Sequence, residues 1–212
     1  MSDRPALLKE QAYEAIKAQI VSGELPPGVF LSERGLAARL GMSKTPVRTA
    51  LERLEMERYV TISPQQGIIV RGLSVTEIND HFDLRIALET YVAGRLAGRL
   101  TTEQFELLAN NVRANAAAAE AGDRARCMAL DMAFHLLLCE TLGNQEITRV
   151  MEHQRDKFMS AILLLIGRHT DLSQTLAEHA GIVEALRRGD GRDAATRIVQ
   201  HLNNGRKLLV SG

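Results

Sequence analysis

The sequence contains no tryptophan, and aromatic residues make up only 4% of its 212 positions. Alanine and leucine are abundant instead, which favours a mostly helical protein. No run approaches the roughly 18 uncharged apolar residues of a membrane span; the nearest, residues 158–167, is about half that length. The N-terminus also lacks the apolar core of a signal peptide. These absences argue against a membrane-spanning or secreted protein, and we expect a cytoplasmic one.

Cysteine is also rare, since the chain has only Cys127 and Cys139. Both lie in one predicted helix, about 18 Å apart, which is too far for a disulfide bond. We therefore expect two buried thiols. The 26 basic and 26 acidic residues give a formal net charge of zero. Any contact with nucleic acid must then come from a local patch of charge rather than from the whole surface.

Residues 32–53 have the pattern of two short helices joined by a tight turn. Ser32 is a favourable N-cap for the first helix, and Gly41 can end that helix in a left-handed conformation. Ser43 is a second N-cap candidate, and Pro46 follows in the first turn, where proline is tolerated. The segment therefore predicts a helix-turn-helix.

This segment is also a patch of positive charge. It contains five basic and two acidic residues, a local charge of +3 on a neutral chain. Lys44 and Thr45 open the second helix, where backbone N–H groups and long cationic side chains suit the phosphates and base edges of the DNA major groove. The alternative is an ordinary helical corner with solvated basic residues. Each helix has one apolar face, formed by Leu36, Ala37, Leu40, Val47, Ala50, Leu51 and Leu54.

After the second helix the apolar period changes from helical to alternating. Residues 60–63 alternate, residues 64–67 contain the turn residues Pro64 and Gly67, and residues 68–71 return as a second strand. This pattern predicts a β-hairpin with Gly67 at its tip. A helix-turn-helix followed at once by a hairpin is a winged helix.

Three segments carry a family resemblance: residues 20–28 (IVSGELPPG), residues 31–37 (LSERGLA) and residues 40–51 (LGMSKTPVRTAL). Together with the glycine of the wing, they make residues 9–72 resemble the DNA-binding domain of the GntR family of bacterial transcription regulators. The resemblance implies major-groove contacts and a minor-groove contact at the wing. The implied major-groove residues are Arg34, Lys44, Thr45 and Arg48, and the implied wing residue is Gly67.

From residue 74 onward the apolar pattern is helical, beginning with the capping box of Ser74 and Glu77. We predict a mainly α protein, with a winged helix-turn-helix domain at residues 1–73 and an antiparallel helical bundle at residues 74–212. Six bundle helices are expected, at about residues 75–99, 102–121, 123–142, 144–167, 171–188 and 191–209. The predicted bundle core includes Leu107, Leu108, Leu130, Leu137, Leu164 and Ile182.

Four residues of the bundle have a spacing that suits a metal site. Asp131 and His135 lie one turn apart on one face of a helix. His179 and His201 lie at equal distances from the turn at residues 189–191, so they should be neighbours in an antiparallel hairpin. If the two pairs converge, one carboxylate and three imidazoles could bind Zn²⁺, Ni²⁺ or Mn²⁺. The alternative for each histidine alone is a surface or hydrogen-bonded core residue.

The same residues belong to a second resemblance, to the all-helical FCD effector domain of the FadR branch of GntR regulators. Other matching features are Asp83-Leu84-Arg85, Gly143-Asn144 and Glu178-His179. The resemblance implies a divalent metal held by the four residues and a small carboxylate effector beside it. Arg85 is the candidate partner of that acid, with a salt bridge to Asp83 or Glu89 as the alternative. Asn144 is a second effector candidate, although a helix N-cap is the favoured role.

The leading interpretation is a DNA-binding transcription regulator and repressor, controlled by a small organic acid and acting as a homodimer on an inverted repeat of double-stranded DNA. One alternative is a DNA binder with a purely structural metal and no effector. A less favoured alternative is a metal-dependent enzyme, against which neither Glu140 nor Glu178 shares a helix face with the ligands. We therefore predict no enzymatic activity and no membrane partner.

Overall fold

The computed structural model describes residues 4–63, 67–165 and 173–210, and these residues form nine α-helices and three short β-strands. The secondary structure is mainly α, as predicted. No helix in these ranges is long and apolar enough to cross a membrane. The elements in chain order are α1 (Arg4–Val21), β1 (Phe30–Leu31), α2 (Glu33–Leu40), α3 (Lys44–Met56), β2 (Val60–Ser63), β3 (Gly67–Val70), α4 (Val75–Leu96), α5 (Thr102–Glu120), α6 (Arg124–Leu142), α7 (Gln145–Leu165), α8 (Ser173–Arg187) and α9 (Gly191–Val210).

The chain divides into two compact units. The first comprises Met1–Leu73 and Asp156–Leu164, and the second comprises Ser74–Arg155 and Leu165–Gly212. The first unit contains the helix-turn-helix and the sheet, and the second contains most of the helical bundle.

The predicted helix-turn-helix forms, but its two N-caps differ. Ser32 Oγ accepts a hydrogen bond of 3.0 Å from the backbone N–H of Gly35, and Gly41 ends α2 with φ 63°. Ser43 stands at the N-cap position of α3 without a side-chain cap bond, so the prediction of a second hydroxyl cap was wrong. The third helical residue is Pro46, which has no N–H to donate to that hydroxyl.

A three-stranded antiparallel sheet follows, with the strand order β1-β3-β2. The predicted hairpin is β2 and β3, in which Val60 pairs with Val70 and Ser63 pairs with Gly67; its turn at residues 64–66 lies outside the described residues. Gly67 has φ 85°, a conformation that favours glycine. Strand β1 was not predicted, because two residues are too few to show a period. In the apolar core of this unit α1 packs against α3 and α3 packs against β2, with Ile16, Ile20, Leu51, Leu54 and Val60 fully buried.

In the second unit, α4 and α5 each begin at a capping box, Ser74 with Glu77 and Thr101 with Gln104. Leu108 and Ile182 are buried as predicted, whereas Leu107 is 54% exposed and its prediction was wrong. Leu107 precedes Leu108 by one residue, which is about 100° around the helix, so both cannot face the core.

The remaining predicted core residues have mixed outcomes. Leu130 and Leu137 are half-buried, and the side chain of Leu164 lies outside the described part of the chain. Cys127 and Cys139 are free and buried, as predicted.

Candidate metal centre and nucleic-acid interface

Three helices of the second unit bring the four predicted ligands together. Helix α6 carries Asp131 and His135 one turn apart, α8 carries His179, and α9 carries His201. One ligand atom from each residue lies within 4.8 Å of the others. The three histidines are buried, and Asp131 is half-buried. Residues that are 70 positions apart in the chain therefore share one small volume.

Three of the separations between these ligand atoms are close to those expected around a tetrahedral metal ion. His135 Nε2 lies 3.0 Å from His201 Nε2, and His201 Nε2 lies 3.2 Å from His179 Nε2. His179 Nε2 lies 3.3 Å from Asp131 Oδ1. Ligands about 2.0–2.1 Å from a central zinc in tetrahedral geometry are about 3.3 Å from one another. The four donor atoms are therefore close enough together for a single small cation to bind them.

In two of the histidine rings, the hydrogen bond made by Nδ1 explains why Nε2 faces the other candidate ligands. His135 Nδ1 lies 2.5 Å from Glu89 Oε2, and His201 Nδ1 lies 2.9 Å from Glu178 Oε2. A carboxylate accepts a hydrogen bond, so each Nδ1 carries the hydrogen and each Nε2 has a lone pair. Two lone pairs facing each other across 3.0 Å repel unless a cation or a proton lies between them.

Burial favours a metal cation over a proton at this place. Burial holds the pKa of His135 and of His179 well below the usual value of 6.5, so neutral imidazoles are favoured there. Burial also raises the pKa of Asp131, although the nearby His201 lowers it. A divalent cation interacts with three neutral imidazoles and one carboxylate without requiring any of them to gain a proton.

Neighbouring side chains limit what else the cluster can do. Phe134 stacks on His179 with ring centroids 4.2 Å apart, and this contact fixes the plane of that ring. The Nδ1 atom of His179 is buried without a hydrogen-bond partner among the described residues. Cys139 follows His135 by one turn, but burial raises the pKa of its thiol to about 12, so it stays protonated and is a poor ligand. Three nitrogens and one oxygen remain, a donor set that suits Zn²⁺, Ni²⁺ or Mn²⁺.

A cavity adjoins the cluster on the side of His135. It is small and partly open to solvent. Arg85 lines it, and Nη2 of Arg85 is buried without a hydrogen-bond partner in the described part of the chain. The residues that line the cavity therefore include an arginine with an unpartnered Nη2 and one candidate metal ligand, His135. Its remaining lining residues are His81, Met132, Leu136, Met151 and Arg155.

Of the two effector candidates, Arg85 lies at this cavity. Arg85 also forms the salt bridge that was its alternative role, because its Nε donates a hydrogen bond to Glu89 Oε1 at 2.8 Å. The other possible partner, Asp83, pairs with Arg206 instead. Asn144 has the N-cap role that the sequence favoured. Its Oδ1 accepts hydrogen bonds from the backbone N–H groups at the start of α7, at 3.1 and 3.2 Å.

The predicted DNA-contact residues lie on the surface of the first unit. Arg34, Lys44, Thr45, Arg48 and Gly67 are all exposed. Arg48 forms a two-bond ion pair with Glu33, with Nε–Oε1 at 2.9 Å and Nη2–Oε2 at 2.8 Å. This pair links the start of α2 to the start of α3 and holds the guanidinium in one orientation.

The sequence did not predict that two carboxylates, those of Glu89 and Glu178, contact the candidate metal ligands. From the sequence, Glu89 is a feature of the family resemblance and an alternative partner of Arg85, and Glu178 is expected to point away from His179 around α8; neither is predicted to contact a metal ligand. Glu178 instead contacts His201 on α9 and accepts a hydrogen bond of 2.6 Å from Asn204. The hairpin pairing that places His179 beside His201 also places Glu178 beside α9, and this signal was available in the sequence.

The sequence matches two families in separate regions. Residues 8–70 match the family described as bacterial regulatory proteins, gntR family, and residues 80–204 match the FCD domain. The second match covers more than half of the chain. The first match contains all five predicted DNA-contact residues, and the second contains all four predicted metal ligands.

Similar proteins cover nearly the full length of the chain. The probable D-xylose utilization operon transcriptional repressor of Paenarthrobacter nicotinovorans is 30% identical over 192 residues, covering 91% of this chain and 84% of that protein. The HTH-type transcriptional repressor RspR of Escherichia coli (strain K12) is 27% identical over 195 residues, covering 92% and 86%. A solved GntR transcriptional regulator from Rhodococcus sp. RHA1 has a TM-score of 0.82 at 18% identity, covering 96% and 98%, which supports the fold.

Proposed function

This chain belongs to the GntR family of bacterial transcription regulators, with an FCD domain after its DNA-binding domain, and from that premise we propose how its regulation works. It is a DNA-binding transcription regulator and not an enzyme. We propose that it is a repressor whose affinity for DNA is controlled by a small organic acid that binds beside a metal ion. Residues 1–73 would bind DNA, and residues 74–212 would bind metal and acid. Because its target is bacterial DNA, the protein would act in the cytoplasm.

The DNA-binding part of the proposal assigns α3 to the major groove. Lys44, Thr45 and Arg48 are exposed in its first turns, and Arg34 is exposed on α2. Gly67 begins β3, where a positive φ and the absence of a side chain would let the wing approach the minor groove. Repression is supported by two relatives that are named as repressors.

The sensing part rests on one observation, the cavity that has Arg85 and His135 in its walls. A guanidinium can pair with a carboxylate through two parallel hydrogen bonds, and Nη2 of Arg85 has none among the described residues. The cluster of Asp131, His135, His179 and His201 would hold a Zn²⁺, Ni²⁺ or Mn²⁺ ion near the same cavity. When bound, the ion would supply positive charge, and an oxygen of the acid would join the four protein ligands as an additional ligand.

Acid binding controls DNA binding only if the acid has different affinities for two arrangements of the protein. Two copies on an inverted repeat would supply such arrangements, because a change in the pose of one DNA-binding domain relative to the other alters the fit to both half-sites. We therefore propose a homodimer.

The experiment uses DNA fragments that the purified protein captures from its own genome. Zinc-loaded protein on such a fragment is titrated with a panel of small carboxylic acids, and release is followed by fluorescence anisotropy. At least one acid should change the affinity for DNA, and removal of metal with a chelator should weaken that response. If no acid changes DNA binding, the metal is structural and the sensing proposal fails.

A pair of matched variants tests the role of Arg85 in this response. Arg85→Lys keeps the positive charge but loses the fork, so a higher acid concentration should be needed for the same effect. Arg95→Lys makes the same change at an exposed position of the same helix and should respond like the parent. Equal acid sensitivity of all three proteins would remove Arg85 from the acid site.

A further inference from the structure

Glu89 is fully buried, and its two carboxylate oxygens have different partners. Oε1 accepts a hydrogen bond from Nε of Arg85 at 2.8 Å, and Oε2 accepts one from Nδ1 of His135 at 2.5 Å. Arg85 lies one turn earlier on the same helix, and His135 lies on α6. One carboxylate thus contacts both the cationic wall of the cavity and a candidate metal ligand.

These contacts have opposite consequences for the two sites. With Nδ1 of His135 hydrogen-bonded to Glu89, Nε2 keeps its lone pair toward Asp131, His179 and His201. Glu89 therefore favours metal binding. The same negative charge lies beside Arg85 and offsets the positive charge that would attract an anion into the cavity, so it opposes anion binding.

We propose that Glu89 is a positioning residue shared by the two sites: it strengthens metal binding by orienting His135, and it weakens binding of a carboxylate effector by neutralising Arg85. This inference rests on the proposed sensing function. It makes Glu89 the residue that sets the acid concentration at which the regulator responds.

Glu178 provides a matched comparison within the same site. It also accepts a hydrogen bond from Nδ1 of a candidate ligand, His201, at 2.9 Å. Its second oxygen accepts a hydrogen bond from Asn204, and the ion pair of Arg85 is with Glu89 rather than with Glu178. Glu178 should therefore share the metal role of Glu89 without its effect on anions.

The main variant is Glu89→Gln, which keeps the size of the side chain. Its single carbonyl oxygen will face the charged Arg85, so its amide N–H will face Nδ1 of His135 and favour the tautomer with hydrogen on Nε2. Zinc affinity, measured by competition with a chromophoric chelator, should fall about 10- to 100-fold. The nitrogen-15 signals of His135 in metal-free protein should change to that tautomer, which a loss of packing alone would not produce.

Anion binding is measured on zinc-saturated protein with acetate as the probe, by nuclear magnetic resonance titration. Glu89→Gln should bind acetate several-fold more tightly than the parent, because one negative charge beside Arg85 is gone. Glu178→Gln should lose zinc affinity to a similar degree but keep the parental affinity for acetate. Unchanged zinc affinity in Glu89→Gln, or acetate binding that is equal or weaker, would overturn the proposal.

A second variant covers the case in which Glu89→Gln does not fold, since it leaves a buried arginine without its partner. Glu89→Asp keeps the charge but is too short by one methylene group to reach both partners. It should lose zinc affinity and keep the parental affinity for acetate; parental zinc affinity would overturn the positioning role. Zinc-loaded parent protein that binds neither acetate nor any acid of the panel would refute the sensing function and the anion half of this inference, while the zinc measurements still decide the other half.

Discussion

At the scale of single residues, the same side chain has different roles according to its surroundings. His179 is fully buried, stacked on Phe134 and within 3.3 Å of Asp131. His153 is exposed on α7. The difference lies in the neighbours and not in the residue type, so matched substitutions of these two histidines separate a ligand from a surface residue.

His179→Ala should lower the bound metal and the metal-dependent part of thermal stability together. Removing one of four ligands weakens binding of a cation that stabilises the native state. Zinc content is measured by elemental analysis, and melting temperatures are compared with and without added zinc. Zinc should raise the melting temperature of the parent and of His153→Ala, but not that of His179→Ala. Equal zinc content in all three proteins would exclude His179 as a ligand.

The buried histidines also predict how stability depends on pH in metal-free protein. Burial lowers the pKa of His135 and His179 in the native state, so below about pH 6.5 the unfolded chain binds more protons than the native one. The free energy of unfolding should then fall as pH falls, by up to about 1.4 kcal/mol per pH unit for each ring. The raised pKa of Asp131 has the opposite sign, because it favours the native state at low pH, but the histidines outnumber it.

Urea unfolding of chelator-treated protein at about pH 7.5 and about pH 5.5 measures this dependence. The free energy of unfolding should be lower at the acidic value in the parent and in His153→Ala. The same stability at both pH values would show that the cluster is protonated or solvated in the native state.

Arg48→Ala should weaken binding to the captured DNA and relax the preference at one base position. An arginine that makes two hydrogen bonds to a guanine typically favours that base over the other bases by a factor of about 5 to 150 in affinity. Arg39→Ala is the control, because Arg39 is also an exposed cation of this unit and contacts Gln19 and Glu24. Binding is measured by gel shift on a panel of single-base variants. A uniform loss across all sequences would assign Arg48 to phosphate contact.

At the scale of elements, the sequence predicts helix ends well where side chains cap the backbone. Ser32, Ser74 and Thr101 begin helices at the predicted positions, because each hydroxyl accepts a backbone N–H of the first turn. Ser43 fails in this role, since the chain has Pro46 where the donor would be. Strand β1 is too short to have a period and depends on its pairing with β3.

The candidate site shows the same division between local and long-range information. Equal distance from a turn predicts that His179 meets His201, and helical spacing predicts that Asp131 and His135 share a face. Neither spacing predicts that α6 packs against the α8–α9 hairpin. Only the family resemblance indicates that the two pairs of ligands come together. The contact between Glu89 and His135 joins α4 to α6 across 46 positions, which no local pattern encodes.

Ser32 and Ser43 form a matched pair for testing capping energy. Ser32→Ala should lower the free energy of unfolding by about 1 kcal/mol, because it removes the acceptor of the Gly35 N–H. Ser43→Ala makes the same change at the next helix, where no side-chain cap bond exists, and should have a much smaller effect. Chemical denaturation of both variants measures the difference. Equal losses would show that the hydroxyl of Ser43 also stabilises its helix.

At the scale of the whole molecule, a neutral chain carries a cationic DNA-binding segment. The total charge is zero, while residues 32–53 have a charge of +3. Electrostatic attraction to DNA therefore has to come from local groups of basic residues such as this segment, and not from the net charge of the molecule. A single winged helix reads only a few base pairs, so the homodimer that we propose would gain specificity by placing two copies on one site.

Pairing of two copies would make DNA binding depend on the spacing between the half-sites. If a two-fold dimer binds an inverted repeat, inserting about five base pairs at the centre of the captured site turns one half-site to the opposite side of the helix and should weaken binding strongly. Inserting about ten base pairs returns the half-site to the same face, so part of the affinity should return if the DNA-binding domains can reach it. Gel shift measures binding to both altered DNAs, and sedimentation should find a dimer at micromolar concentration. A monomer in solution whose binding ignores both insertions would mean that one winged helix acts alone.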